Sequence, residues 1–312
     1  MNPADDWPDL PYAAWRETAT TLQLWMQIVG KVRLMLTPWL NHGWQVPFYV
    51  TARGLGTSPI PAGNEILEIE FDFIHHQLVL RTGRGEERRI PLAPQSVSVF
   101  HRHVMDLLKD VGVEPAINEL PNEVPDPIRF SQDRMHADYD AEAVHRFWRA
   151  LVQIDRVFKL FRSGFLGKAS PVHFFWGGFD LAVTRFSGRP APIHPGGIPG
   201  LPDRITREAY SHEVSSAGFW PGNEAFPQAA FYSYAYPEPT GFRQRAVTQG
   251  ASYNAPLGEY ILSYDTVRTA ANPDALLIDF LSTTYAAAAE TGKWDRASLE
   301  CALGIPAQAR KP

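Results

Sequence analysis

Apolar residues recur at helical spacing over residues 11–29, where Trp15, Ala19, Leu22, Trp25, Met26 and Val29 fall on one side. Asp9 stands where it can cap that helix, and Pro11 suits its first turn. The same period returns over 141–163, with Val144, Phe147, Leu151, Ile154, Phe158 and Phe161 as the stripe and Asp140 as the cap. Between and after these helices the period drops to two. Over 46–53, Val46, Phe48 and Val50 alternate with Tyr49, Thr51 and Arg53. Over 66–74, Leu67, Ile69, Phe71 and Phe73 face one way and Glu68, Glu70 and Asp72 the other, which predicts a half-solvated strand. Further strands are expected at 77–82 and 86–91, then a helix at 95–111. The second half repeats the order, with strands at 171–176, 179–186, 212–217, 230–236 and 259–263 and a helix at 273–290.

The repeated order predicts an α+β protein of two similar halves, each an antiparallel sheet flanked by long helices. An internal duplication is consistent with it: shifting the chain by 133 residues lays 15–63 on 148–196 without a gap and matches eight positions, among them Trp15/Trp148 and Val50/Val183. Chance gives roughly three. The division expected is 1–125, a scaffold half, and 126–312, the half that carries the candidate site. His173, Asp180 and His194 fall opposite Leu40, Pro47 and Pro61 under that shift, so these polar groups belong to the second half.

The candidate chemistry lies in 168–238. Gly177-Gly178 between two aromatic, β-rich runs predicts a two-residue turn with positive φ. Phe175 would then face Asp180 and His173 would face Ala182, so that His173, Phe175, Asp180, Ala182 and Thr184 share one face of the sheet. His173 and Asp180 become diagonal neighbours, close enough for a bridging ion or water. Such a pair serves as half a metal site, an acid–base couple or a structural hydrogen bond. A metal needs about three protein ligands, and His212 is the third named, so His173, Asp180 and His212 are both the catalytic and the metal-ligand candidates, with a divalent ion as the candidate cofactor. Arg185 is placed to bind an anionic substrate group. His194 sits in a stiff PAPIHPGG loop. Trp176 and the alternating Tyr232, Tyr234 and Tyr236 would wall the cleft; an exposed aromatic face or a domain interface accounts for the tyrosines equally well, and core packing accounts for Trp176.

Composition removes several function classes. The net charge of −5 gives no footprint for nucleic acid. No apolar run reaches the ~18–20 residues that span a bilayer. Cys301 is the only cysteine, so no internal disulfide forms, and a cytoplasmic setting is expected. The twenty-seven prolines cluster at 115–127, the best linker, and at 190–202, a long ordered loop or lid. His75-His76, His101 and His103 lack partners at ligand spacing, and GLGTS at 54–58 lacks the lysine of a phosphate loop. The common hydrolase, zinc-protease and Rossmann motifs are absent.

The blocks WPDLPYAAWRETATTLQLWMQIVGKVRL, SPVHFFWGGFDLAVTRFSGRPAPIHPGG and YSHEVSSAGFWPG resemble a bacterial family catalogued only as a domain of unknown function, DUF5996. The resemblance runs from Trp7 to about Trp294. It implies a soluble bacterial protein and brings no reaction, ligand or catalytic residue. The function expected from the residues is that of a small-molecule enzyme using a His/Asp cluster in a cleft of the second half. The alternatives are a non-catalytic small-ligand binding module and a structural or interaction protein. Substrate and oligomeric state are not encoded in any of these patterns.

Overall fold

The computed structural model describes residues 6–310. Helix α1 (Tyr12–Leu36) runs seven residues beyond the expected 11–29. The reason is burial: Leu22, Trp25, Met26, Ile28, Val29 and Val32 are all inaccessible, and core contact carries the helix past residue 29. Its N-cap is Pro11 and carries no side-chain cap bond, so Asp9 does not cap it.

Six short strands follow: β1 (Tyr49–Val50), β2 (Gly54–Gly56), β3 (Ile60–Ala62), β4 (Glu65–Asp72), β5 (Gln77–Thr82) and β6 (Glu87–Pro91). They form an antiparallel sheet in the order β1-β2-β4-β5-β6, with β3 also on β4. Leu67, Ile69, Phe71 and Phe73 face the core as their alternation required. The opposite side of β4 is less wet than expected. Glu70 and Asp72 are buried because cations cover them: Arg81 bonds Glu70 at 3.0 Å and Arg53 bonds Asp72 at 2.7 Å. Helix α2 (Val97–Asp110) packs on α1, with Phe100 stacked 4.5 Å from Trp25.

Helix α3 (Ala141–Ser163) starts where expected, and the Asp140 carboxylate accepts from the amides of Glu142 and Ala143. The second sheet contains β7 (His173–Phe175), β8 (Asp180–Pro190), β9 (His212–Trp220), β10 (Ala230–Tyr236), β11 (Ser252–Asn254) and β12 (Glu259–Ser263), in the order β11-β12-β10-β9-β8-β7. Short helix α4 (Asp203–Ala209) lies between β8 and β9, and α5 (Tyr264–Arg268), α6 (Pro273–Thr291) and α7 (Arg296–Leu299) follow β12. Phe48 and Phe174 exchange two backbone hydrogen bonds of 2.8 Å, joining the edges of the two sheets. That bridge occupies both edges, and one hydrophobic core runs through both halves.

The chain is therefore α+β with two antiparallel sheets of six strands each. The helix–strands–helix order repeats, but the gapless 133-residue shift does not lay strand on strand. It places both β1 and β2, with the turn between them, along the single strand β8. The duplication is not confirmed. Among the described residues no helix is long and apolar enough to cross a membrane.

Candidate functional site

The second sheet has two unlike faces. Leu181, Val183, Phe219, Phe231 and Leu262 point to the core shared with α3 and α6. Strand register puts the alternate residues on the other face: Asp180, Ala182 and Thr184 of β8, Ser216 and Gly218 of β9, Tyr232 and Tyr234 of β10, and Ile261 of β12. Its middle is floored by small side chains and rimmed by tyrosines and acids. Ala182, Ser216 and Gly218 in the middle are buried, and this face is the candidate cleft.

The hairpin register is as the Gly-Gly signal required, with Phe175 opposite Asp180 and His173 opposite Ala182. The turn chemistry is different. Residues 176–179 form the turn, and the residue with positive φ is Phe179 (59°) rather than either glycine. Phe179 holds that conformation because its ring is buried between Phe147 and Phe174.

Helix α1 positions the rest. Gln23, Gln27 and Lys31 lie four residues apart on one side of an otherwise apolar rod. Gln23 donates to the carbonyl of Gly177 at 2.7 Å. Gln27 and Asn122 exchange two bonds of 2.8 Å, and Lys31 donates to the carbonyl of Leu120 at 2.6 Å. Burial lowers the Lys31 ammonium to about 8. This polar ladder pins both the hairpin turn and the 115–127 segment, so the segment is a strap on α1 rather than a free linker. Its Glu123, at φ 55°, reaches the hairpin. A β-carbon at Gly178 would lie 2.7 Å from an Asp180 oxygen and 3.9 Å from a Glu123 oxygen, so the two carboxyl groups flank one spot.

Tyr232 crosses from β10 to complete the group. Its hydroxyl donates to Asp180 at 2.5 Å. The ring can lie across β9 only because residue 218 is glycine: a β-carbon there would sit 2.3 Å from it. Trp220 stacks on Tyr232 at 4.9 Å and Tyr234 follows at 6.0 Å. The Tyr234 hydroxyl shares a 2.8 Å bond with Tyr210, and Thr184 shares one of 2.8 Å with Ser216.

The electrostatics are one-sided. Burial raises Asp180 to about 6, against the pull of the Tyr232 hydroxyl. Burial, reinforced by the Asp180 charge, raises Glu123 to about 7 and Glu259 to about 8. Glu123 stays open to solvent although protein crowds round it, which places it at the mouth of the cleft. No lysine or arginine contributes to the shift of any of the three.

The structure does not assemble the triad expected of His173, Asp180 and His212. Leu181 pairs with Phe219, so Asp180 sits by Trp220, eight residues from His212 along β9, or roughly 26 Å at 3.3 Å per residue. His212 instead stands 5.9 Å from His42, whose Nε2 accepts from Lys168 at 2.7 Å. Among the described residues no group of three or more His, Cys, Asp or Glu is arranged to hold a metal ion. His173 shares the Asp180 face but does not bond it. It is 1 % exposed, packed on Phe175 at 4.6 Å, and burial lowers it to about 3. Both its ring nitrogens lack a partner.

Arg185 is on the wrong face for a substrate. Odd-numbered positions of β8 point to the core, so its guanidinium is sandwiched between Phe161 (3.5 Å) and Tyr285 (4.4 Å) and donates to the carbonyl of Phe161. Burial lowers it to about 10. Trp176 is also structural: its indole donates to the carbonyl of Val46 at 3.0 Å and lies against Gly30 of α1. His194 stacks on Tyr210 at 5.0 Å, Tyr236 meets Tyr210 edge-on at 5.2 Å, and Tyr236 donates to the carbonyl of Pro192. A separate cavity of about 210 Å³ beside Val214, Tyr236 and Trp294 holds one carboxylate, Glu213, already bound by Arg189 at 2.6 Å. The unpaired chemistry is in the acidic cleft, not there.

The fold and site define an α+β protein whose second sheet has one face lined by acids and tyrosines. The chain belongs to the DUF5996 family, a family of unknown function, whose model matches residues 7–301. No curated protein and no solved structure matches the chain.

Proposed function

We propose that this chain binds a small molecule on this face of the second sheet and moves a proton to or from it, with Asp180 and Glu123 as the proton-carrying pair. One observation carries the reading: two carboxyl groups flank a single accessible spot, with a tyrosine hydroxyl on one of them and no cation to hold either ionised. Groups held near neutrality are suited to general acid–base work. In this reading the Asp180 carboxylate, held by the Tyr232 hydroxyl, takes the proton and becomes neutral, and Glu123 serves the opposite side of the substrate. The aromatic wall of Trp220, Tyr232 and Tyr234 would bury the substrate body.

The stacked wall also favours a second reading, binding without turnover, because it supplies affinity whether or not a proton moves. The acidic net charge and the lone cysteine fit a cytoplasmic small-molecule protein better than a nucleic-acid binder.

A thermal-shift screen of small metabolites tests the reading. Hits are expected that raise the melting temperature of the wild type and are lost in Asp180→Asn and Tyr232→Phe. An absence of hits, or hits indifferent to both substitutions, would remove the cleft as the functional site. Turnover of a hit by the wild type but not by Asp180→Asn separates catalysis from binding alone.

A further inference from the structure

Three buried carboxylates elsewhere in this chain have cations, and a fourth, Asp133, is held by His136 at 2.7 Å and by the amides of Met135 and His136. Asp72 has Arg53, Glu70 has Arg81, and Asp155 has Lys159 at 2.6 Å. Burying a carboxylate without such partners is costly. At the cleft Asp180 and Glu123 flank one spot, with no lysine or arginine among the groups that shift them. The group that would neutralise them is missing from the protein.

Two independent features of the same face point to what supplies it. The rings of Trp220, Tyr232 and Tyr234 run in a stacked row beside the acids, and the face of such a ring attracts an organic cation. His173 is buried on the same face as Asp180, one strand over, with neither nitrogen bonded. A buried polar group left unpaired calls for an absent partner. The neutral imidazole offers one lone pair, suited to accept from an N–H donor.

We propose, on the reading of this cleft as a small-molecule site, that its ligand is a protonated amine or guanidinium carried on an apolar or flat body. The cation sits between Asp180 and Glu123, the body lies on the tyrosine–tryptophan row, and His173 accepts from the ligand or its bound water. The donor set does not favour a metal ion: no triad of His, Cys, Asp or Glu among the described residues is arranged for one.

The test uses the full chain and two matched series, benzylamine, benzyl alcohol and benzoate, and 1,4-diaminobutane, 1,4-butanediol and succinate, titrated by calorimetry at pH 8. The amine of at least one series should bind ten-fold or more tightly than its alcohol, and the acids should not bind. Asp180→Asn and Glu123→Gln should each weaken the amine at least ten-fold. Glu259→Gln provides a third variant if either of the first two does not fold. Equal or tighter binding of alcohol or acid, lost in Tyr232→Phe, would overturn the cation assignment while keeping the cleft as a ligand site. Binding of calcium chloride in place of the amines would overturn it in favour of a metal. If no compound binds, the cation assignment fails, and if the metabolite screen is also empty the small-molecule reading fails with it.

Discussion

At the residue scale the cleft depends on a few side chains whose partners are specific. The Tyr232 hydroxyl stabilises the charged form of Asp180. Tyr232→Phe should therefore push the Asp180 carboxyl higher still, read from the pH dependence of its carboxyl carbon signal. Gly218→Ala would drive a methyl group into the Tyr232 ring. It should cost about 1–3 kcal/mol of unfolding free energy and break the Tyr232–Asp180 bond. Arg185→Ala should cost about 2–5 kcal/mol, the range for truncating a long buried side chain, while leaving ligand affinity unchanged because the residue faces the core. The sequence carried the face of Asp180 and of the three tyrosines, since strand alternation is local. It could not carry the pairing of Arg185 with Phe161 and Tyr285, which lie far away in sequence. The same alternation nonetheless puts Arg185 on the opposite face from Asp180, five residues away.

At the level of elements, α1 holds the strap and the hairpin through its Gln23–Gln27–Lys31 ladder. Gln27→Ala leaves the Asn122 amide and carbonyl without their partner, at about 1–3 kcal/mol for the unsatisfied groups. Hydrogen exchange at 118–123 should speed up, and ligand affinity should fall because Glu123 is no longer held at the hairpin. Exchange in that segment unchanged from wild type would show that the strap is held by something else. The ladder was visible in the sequence as three polar residues at a spacing of four inside an apolar helix. The place where it docks was not. Glu123 lies in a proline-rich run that reads as linker, and Glu259 reads as an ordinary strand-edge acid. Glu123 does not show its role until the strap is brought beside the β7–β8 hairpin, and Glu259 lies two strands away from β8, beyond β9 and β10. Glu123 also precedes residue 125, so the first half contributes to the cleft as well as supporting it.

For the whole molecule, the cleft makes stability depend on pH. Asp180, Glu123 and Glu259 bind protons more tightly folded than unfolded, so the native state holds more protons from roughly pH 4 up to about 6, 7 and 8. Stability then falls as pH rises through that window. His173 acts oppositely: lowered to about 3 by burial, it contributes stability above the unfolded value near 6.5 and loses it as pH falls. His42, His76, His101 and His194, all lowered chiefly by burial, pull in the same direction as His173. Above pH 7 the histidines are spent and only Lys31, lowered to about 8 by burial, opposes the raised acids, so urea unfolding should show lower stability at pH 8.5 than at pH 7. The Glu123→Gln/Glu259→Gln double variant should flatten that slope. An amine ligand should bind more tightly over the same rise as the carboxyls ionise. At this scale the two-sheet α+β organisation was legible, because helix and strand periods are written in every segment. The joining of the two sheets at Phe48 and Phe174 was not, because two backbone hydrogen bonds leave no side-chain pattern.

The most direct measurement is a carbon-13 carboxyl titration of the full chain, with Asp180→Asn, Glu123→Gln and Glu259→Gln used to assign the three signals. The account predicts that all three titrate well above the ordinary carboxylate range and move downward together when a bound amine is present. Three signals titrating near pH 4, as solvated acids do, would contradict it.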